Sequence, residues 1–187
     1  FRSSIPAAEE RAGKTVTMPR IIRKFLHTFI AMAILGSLGA PIVASAQESG
    51  LPIPRFVALR SDKVHLRSGP GLRYPKVWIY QRRNMPMEVI SEFDTWRKVR
   101  DWEGSEGWVH QSLLLGSRHV IVTADTITLY SAADENARKI AIVSNSVIGK
   151  IETCPRSVDW CQLQFGDFEG WAPRQGYWGI YDGEYIE

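Results

Sequence analysis

Residues 64–71 read VHLRSGPG, a short strand of alternating apolar and polar side chains that runs into a Gly-Pro-Gly turn. A related strand, ITLYS, recurs 63 positions later at residues 127–131. Three further pairs of segments stay in register at a shift of 63 or 64 residues: 77–80 with 140–143, 96–99 with 160–163, and 107–109 with 170–172. Four matching blocks in the same order indicate an internal duplication.

Each copy consists of short, alternating runs separated by turn residues, and no helical period follows residue 47. Closing such strands into a small barrel hides the edges that would otherwise aggregate. The sequence therefore predicts an all-β chain of two tandem small barrels, the first at residues 55–117 and the second at residues 119–187.

Four motifs of the first copy are specific enough to suggest a family. They are VHLRSGPG at 64–71, YP at 74–75, WRKV at 96–99 and EGWV at 106–109. Together they resemble bacterial SH3-like domains, and among these the tandem, exported type of proteobacteria. The resemblance implies SH3-like barrels that bind cell-wall or protein ligands, often beside a catalytic domain. Because Ala-Ala-Asp at 132–134 replaces the Gly-Pro-Gly turn, we expect the second barrel to be degenerate.

Residues 18–46 have the layout of a signal peptide, with early basic residues, an apolar stretch at 29–35 and a terminal Ala-Ser-Ala cleavage site. The apolar stretch is shorter than the roughly 20 residues of a membrane span, and an uncleaved anchor is the alternative. Residues 1–17 are then a leader that is not translated in the cell or a disordered extension, and residues 47–54 are a linker. We expect a periplasmic or secreted protein that meets the membrane only transiently through its signal peptide.

The two copies differ in charge, although the whole chain carries only +3. Residues 55–118 hold 12 basic and 7 acidic side chains, whereas residues 119–187 hold 5 and 10. Opposite charges allow the two barrels to attract one another. The net charge of residues 47–187 is −1, which together with export argues against a nucleic-acid partner.

Strand alternation predicts a ligand face on the first copy. If Val77 and Ile79 point into the core, then Trp78 and Tyr80 point the other way. The second copy keeps the inward apolar positions and loses both aromatic ones, with the sequence Ile140, Ala141, Ile142 and Val143. Because the repeated barrel does not need those aromatics, they are available for a peptide or glycan ligand.

Three polar side chains complete the predicted site. Arg67, Arg73 and Tyr74 are suited to holding a carboxylate or a phenol beside Trp78 and Tyr80. The predicted ligand is a peptidoglycan peptide or an envelope protein segment. In the alternative, the second copy or the linker covers the two aromatics, and the protein is an adaptor whose packed barrels dock on an envelope enzyme.

The remaining reactive residues favour structure over chemistry. Cys154 and Cys161 lie opposite each other across a predicted hairpin, and an exported protein meets an oxidising compartment, so we predict a disulfide. The histidines form no metal-binding motif, and the sequence offers no nucleophile with a matching base. We therefore expect a non-enzymatic protein without a metal or another cofactor.

Overall fold

The computed structural model describes residues 49–187, which belong to one compact unit. The predicted leader, the signal peptide and the first two linker residues lie outside these described residues. Within residues 49–187, no helix has the length and apolar character needed to cross a membrane. The regular elements there are strands and one 3₁₀ turn at Gln111–Leu113, so the predicted all-β class is confirmed.

The first barrel is an antiparallel sheet of seven strands. The strands are β1 (Arg55–Leu59), β2 (Val64–Arg67), β3 (Lys76–Tyr80), β4 (Pro86–Phe93), β5 (Trp96–Arg100), β6 (Glu106–His110) and β7 (Leu114–Leu115). Their order across the sheet is β3-β2-β6-β5-β4-β1-β7. Strand β3 is therefore an edge that pairs only with β2 among the described strands.

The second barrel repeats this arrangement. Its strands are β8 (His119–Val122), β9 (Thr126–Tyr130), β10 (Lys139–Ser144), β11 (Ile148–Thr153), β12 (Trp160–Phe165), β13 (Phe168–Pro173) and β14 (Tyr177–Trp178). The order β10-β9-β13-β12-β11-β8-β14 is that of the first sheet with seven added to each strand number. The duplication in the sequence is thus a duplication of topology, and β10 is the edge that corresponds to β3.

Each barrel encloses its own apolar core. Val64, Leu66 and Val99 are fully buried in the first core, and Leu129 and Leu163 in the second. Burying a side chain of this size contributes roughly 1.5–3 kcal/mol. The predicted inward positions on β2, β5 and β9 are therefore correct.

The Gly-Trp motif repeated in both copies has a steric cause. A Cβ atom on Gly107 would lie 2.5 Å from Leu66 Cγ and 2.9 Å from the Arg67 carbonyl oxygen. On the equivalent Gly170, it would lie 2.9 Å from the Tyr130 carbonyl oxygen. Glycine is required at both positions because β6 and β13 approach the neighbouring strands closely.

A β-bulge interrupts the edge strand of the first barrel. Trp78 lies opposite Leu66, and Lys76 lies opposite Arg67. Val77 is the extra residue between them, and it has no cross-strand partner. The strict alternation that the sequence suggested for β3 therefore breaks at this residue.

The prediction that Tyr80 faces outward is wrong. Tyr80 lies opposite Val64, and cross-strand neighbours share one face of a sheet. Tyr80 is accordingly buried in the core with 4% of its surface exposed. Val77 and Ile79, which were predicted to point inward, are exposed. Val77 is the bulge residue, and Ile79 lies opposite His65 on the outer face.

The second barrel shows the same departure from the predicted alternation. Its pairing shifts at Ile140, and the buried Val143 lies opposite the buried Ile127. Ile142, which was predicted to be a core residue, is 68% exposed. The bulge is therefore a feature of the repeated fold.

The C-terminal segment, residues 177–187, contacts both barrels. The ring centroid of Phe56 on β1 lies 4.8 Å from that of Trp178, edge to face, and 4.5 Å from that of Tyr181. The Tyr181 hydroxyl donates a hydrogen bond to Glu88 Oε1 at 2.9 Å. The two barrels are thus packed together through an aromatic cluster and a partly buried hydrogen bond.

An ion pair and backbone hydrogen bonds hold this segment to the second barrel, next to a disulfide. Arg118 donates to both carboxylate oxygens of Glu184, at 2.5 and 2.9 Å. Cys154 and Cys161 form a disulfide with a Cα–Cα distance of 4.3 Å, as predicted. Because Cys154 also exchanges two backbone hydrogen bonds with Ile186, the disulfide lies next to the anchorage of the C-terminal segment.

Candidate functional site

The edge strand β3 exposes large apolar side chains. Trp78 is 60% exposed, and Val77 and Ile79 beside it are also exposed. Leu72, in the loop that precedes β3, is exposed as well. We call these four residues the β3 edge patch. An unpaired strand edge with exposed apolar side chains is suited to adding an extended peptide as a further strand.

Arg67 organises the loop beside the patch. Its Nη1 donates to the carbonyl oxygens of Leu72 and Tyr74, at 3.0 and 2.7 Å. These bonds commit one end of the guanidinium to the protein's own backbone. Arg67, predicted as a ligand residue, is thus placed as a support of the loop.

The turn itself requires close packing of an aromatic ring. A Cβ atom on Gly69 would lie 2.4 Å from Tyr74 Cδ1, so the ring occupies the space that any other residue would need. Arg73 is exposed, with its guanidinium 5.2 Å from the centroid of the Tyr74 ring. Arg73 and Tyr74 therefore present a cation and a phenol on the loop that leads into β3.

Tyr80 has a structural task in place of the predicted binding role. Its hydroxyl donates to Asp101 Oδ2 at 2.8 Å inside the barrel. Burial raises the pKa of the phenol, and the hydrogen bond to the carboxylate raises it further. The other oxygen of Asp101 accepts the backbone N–H groups of Glu103 and Ser105. Tyr80 thus joins the end of β3 to the turn after β5.

The sequence reasoning did not identify Asp101 as a partner of Tyr80. Asp101 is buried, and it precedes the turn sequence Glu-Gly-Ser at residues 103–105. An Asp before such a turn is a recognised signal for bonding to backbone N–H groups. Its pairing with a tyrosine from another strand required the register of β3.

The surroundings of the patch are basic. Lys76, Lys63 and Arg67 lie near His65 on β2. Desolvation lowers the pKa of the His65 imidazole, and these cations lower it further. The charged form of the imidazole is therefore disfavoured, and the positive charge here comes from the lysines and arginines.

The corresponding edge of the second barrel has different chemistry. Ala141 occupies the position of Trp78. A shallow groove of about 570 Å³ runs along β10, and Ile142, Val147 and Phe168 line it. The adjacent loop offers Asp134, which accepts the backbone N–H of Asn136 at 2.8 Å. The second edge thus has no counterpart of Trp78, and Phe168 of β13 supplies aromatic surface to its groove.

No group of three or more His, Cys, Asp or Glu side chains that would hold a metal ion occurs within residues 49–187.

Comparison with known proteins identifies the family of the first barrel. Residues 60–116 match the bacterial SH3 domain, and the predicted resemblance is confirmed for them. No curated protein matches the chain.

Two similar solved structures are NlpC2 and NlpC1 from Trichomonas vaginalis, with 11% and 10% sequence identity and a TM-score of 0.31 for each. The similarity covers 68% and 70% of this chain. It covers 48% of either Trichomonas protein, so the chain spans about half their length.

Proposed function

We propose that the protein is an exported, non-catalytic binding module that captures a peptidoglycan peptide or an envelope protein segment through its first barrel. The observation that carries the proposal is the β3 edge patch, an open strand edge with Trp78 exposed on it. The match of residues 60–116 to the bacterial SH3 domain supports it. The disulfide is consistent with a periplasmic or secreted location.

The proposed binding mode is addition of an extended peptide alongside β3. The backbone of β3 supplies hydrogen bonds on its open side, and Trp78 supplies apolar contact area at a low cost in side-chain entropy. Arg73 and Tyr74 select for a carboxylate or another acceptor on the ligand. Because one short edge buries little area, we expect modest affinity.

Co-sedimentation with purified peptidoglycan sacculi tests this proposal. We expect the protein to pellet with sacculi, and Trp78→Ala to stay largely in the supernatant. Ile142→Ala is the matched control, because it removes an exposed apolar side chain from the equivalent edge of the second barrel. Far-UV circular dichroism and thermal melting establish that all three proteins are folded.

One outcome would contradict the proposed binding site, and another would contradict the proposed ligand. Equal pelleting of all three proteins would show that sacculi bind elsewhere on the molecule. If none pellets at several salt concentrations, wall capture is wrong, and crosslinking in envelope fractions should be used to find a protein partner.

The alternative function is that of an adaptor that docks on an envelope enzyme. The packing of Phe56 against Trp178 and Tyr181 favours it, because it joins both barrels into one body. In the original form of this hypothesis, Trp78 and Tyr80 were buried between the barrels. That form is wrong, since Trp78 is exposed and Tyr80 lies inside its own barrel.

A further inference from the structure

The two barrels carry equivalent surface positions across three neighbouring strands. In the first barrel, Phe56 on β1 pairs with Glu88 on β4, which pairs with Arg100 on β5. The corresponding row in the second barrel crosses β8, β11 and β12 and consists of His119, Lys150 and Gln164. We call these the first row and the second row.

The first row is occupied by a peptide segment of the chain itself. Trp178 and Tyr181 of the C-terminal segment pack on Phe56, and the Tyr181 hydroxyl donates to Glu88. Arg100 holds the other oxygen of Glu88 with bonds of 3.0 and 2.6 Å. The fold therefore uses this surface to bind a hydrogen-bond donor, with a carboxylate as the acceptor.

The second row faces a polar cleft between the barrels, with a volume of about 330 Å³. Its opposite wall is formed by Arg83 and Asn84 from the turn between β3 and β4. No segment within residues 49–187 fills this cleft in the way that the C-terminal segment covers the first row. The fold thus leaves the second of two equivalent surfaces open.

The polarity of the cleft is the reverse of that of the first row, because Lys150 stands where the first row has Glu88. The Lys150 ammonium donates to both oxygens of Glu152 at 2.8 Å, which offsets part of its charge. Arg83 is exposed and, within the described residues, forms no ion pair. The guanidinium therefore leaves the cleft with an uncompensated positive charge.

Neutral donors add to this charge. Asn84 and Gln164 line the cleft, and each side-chain carboxamide carries two N–H donors. The residues that line this cleft carry guanidinium, ammonium and carboxamide donors, which match the acceptor-only oxygens of a carboxylate.

We propose that the cleft lined by Arg83, Asn84, Lys150 and Gln164 binds a carboxylate group of a ligand. Arg83 supplies the principal charge, and Gln164 and Asn84 fix the orientation of the carboxylate through hydrogen bonds. This site is separate from the β3 edge patch, and it does not depend on the function proposed for that patch.

The test is an NMR titration of the folded protein with small probes. N-acetylglycine presents a chain-terminal carboxylate, and N-acetylglycinamide is the same molecule without the charge. We expect saturable shifts of the Asn84 and Gln164 side-chain amide signals with N-acetylglycine, and none with the amide. N-acetylaspartate N-methylamide, titrated in parallel, shows whether a side-chain carboxylate binds as well as a chain terminus.

Two neighbouring arginines provide matched variants. Arg83→Gln removes the charge from the cleft, and Arg82→Gln removes the same charge from an exposed residue that does not line it. We expect Arg83→Gln to weaken binding about tenfold, as for the loss of one charge-assisted hydrogen bond. Arg82→Gln should change binding by less than about twofold, because Arg82 does not line the cleft and exposed charges are screened.

Three results would overturn the proposal: equal shifts with the amide probe, equal weakening by the two arginine variants, or no shift of the two amide signals. We expect the Trp78→Ala variant to bind N-acetylglycine like the parent, because it changes only the edge patch. This result would show that the cleft and the edge patch are independent sites. If the protein fails to pellet with sacculi but still binds N-acetylglycine, only the function proposed for the edge patch is wrong.

Discussion

The two barrels share their strand order and their interior but differ in their surfaces. Leu66 and Leu129 occupy equivalent core positions, and both are buried. At the equivalent edge position, Trp78 of the first barrel corresponds to Ala141 of the second. The fold therefore requires apolar residues in the core, while the residues at the edge can differ without loss of the fold and can be suited to a ligand.

A second difference lies on the face across β1, β4 and β5 and its counterpart. Glu88 of the first barrel accepts a hydrogen bond from Tyr181, whereas Lys150 of the second faces a cleft. One face has been used to join the barrels, and the other has not. The duplication thus provides two copies of this face, and the copy in the first barrel joins the two barrels.

The largest expected effect tests whether the two cores are equivalent. Leu66→Ala and Leu129→Ala each remove a fully buried side chain, and we expect each to cost about 2–5 kcal/mol of stability. Urea denaturation followed by tryptophan fluorescence measures both. Leu72→Ala is the control, since that leucine is exposed and its loss should cost less than about 0.5 kcal/mol. A cost below about 1 kcal/mol at either buried site would show that the cores are packed differently.

The disulfide distinguishes the second barrel from the first. Replacing Cys154 and Cys161 by serine opens a loop that closes over a sequence separation of 7, and we expect a loss of roughly 2–3 kcal/mol. Native-state hydrogen exchange should show faster exchange in β11 and β12 and unchanged exchange in β5. Equal loss of protection in β5 would mean that the barrels unfold as one cooperative unit, contrary to the expectation of separate cores.

Tyr80→Phe tests the corrected position of Tyr80. The change leaves Asp101 Oδ2 without its buried donor, and we expect a cost of about 1–3 kcal/mol. Val143, the equivalent residue, has no hydroxyl, so the second barrel offers no corresponding bond to remove. Pelleting with sacculi should not change if Tyr80 acts only inside the barrel. A folded Tyr80→Phe protein that fails to pellet would restore Tyr80 to the binding site.

Much of the fold followed from pattern alone. The repeat at 63 residues and the turn chemistry predicted two barrels, and the spacing of Cys154 and Cys161 predicted the disulfide. The outward face of β3 was not predictable, because a bulge leaves no mark in a run of apolar residues such as Val77 to Tyr80. Pairing with β2 decides which of these side chains is buried.

The candidate site was predictable in part. Trp78 is exposed as predicted, although it lies opposite the buried Leu66. Arg73 and Tyr74 lie in the loop before β3, and their binding roles stay predictions. The bonds from Arg67 to its own loop depend on backbone carbonyls that a sequence does not position. The cleft near Lys150 was not predictable because it forms only where the turn at Arg83 meets the second barrel.

The smallest expected effect concerns the pH dependence of the C-terminal segment. Burial disfavours the ionised carboxylate of Glu184, but hydrogen bonds from Arg118 and the Tyr181 backbone hold its pKa below the ordinary 4.5. A depressed pKa in the folded state stabilises the protein above pH 4.5, and this contribution is lost as the pH falls through the folded-state value. We therefore expect the melting temperature to decline below that pH, with a shallower decline in Glu184→Gln.

The first barrel contains a comparable carboxylate, so the decline should not vanish in that variant. Burial opposes the ionisation of Glu92, and hydrogen bonds from Ser49 and Arg55 lower its pKa in the same direction. Glu135→Gln is the control, because Glu135 is exposed on the loop before β10. Melting curves between about pH 3 and pH 6 measure the slopes. A Glu184→Gln protein with the parent's slope would mean that protonation of Glu184 does not weaken the anchorage of the C-terminal segment. Other carboxylates with a lowered pKa, Glu92 and Glu106, would then carry the acid sensitivity.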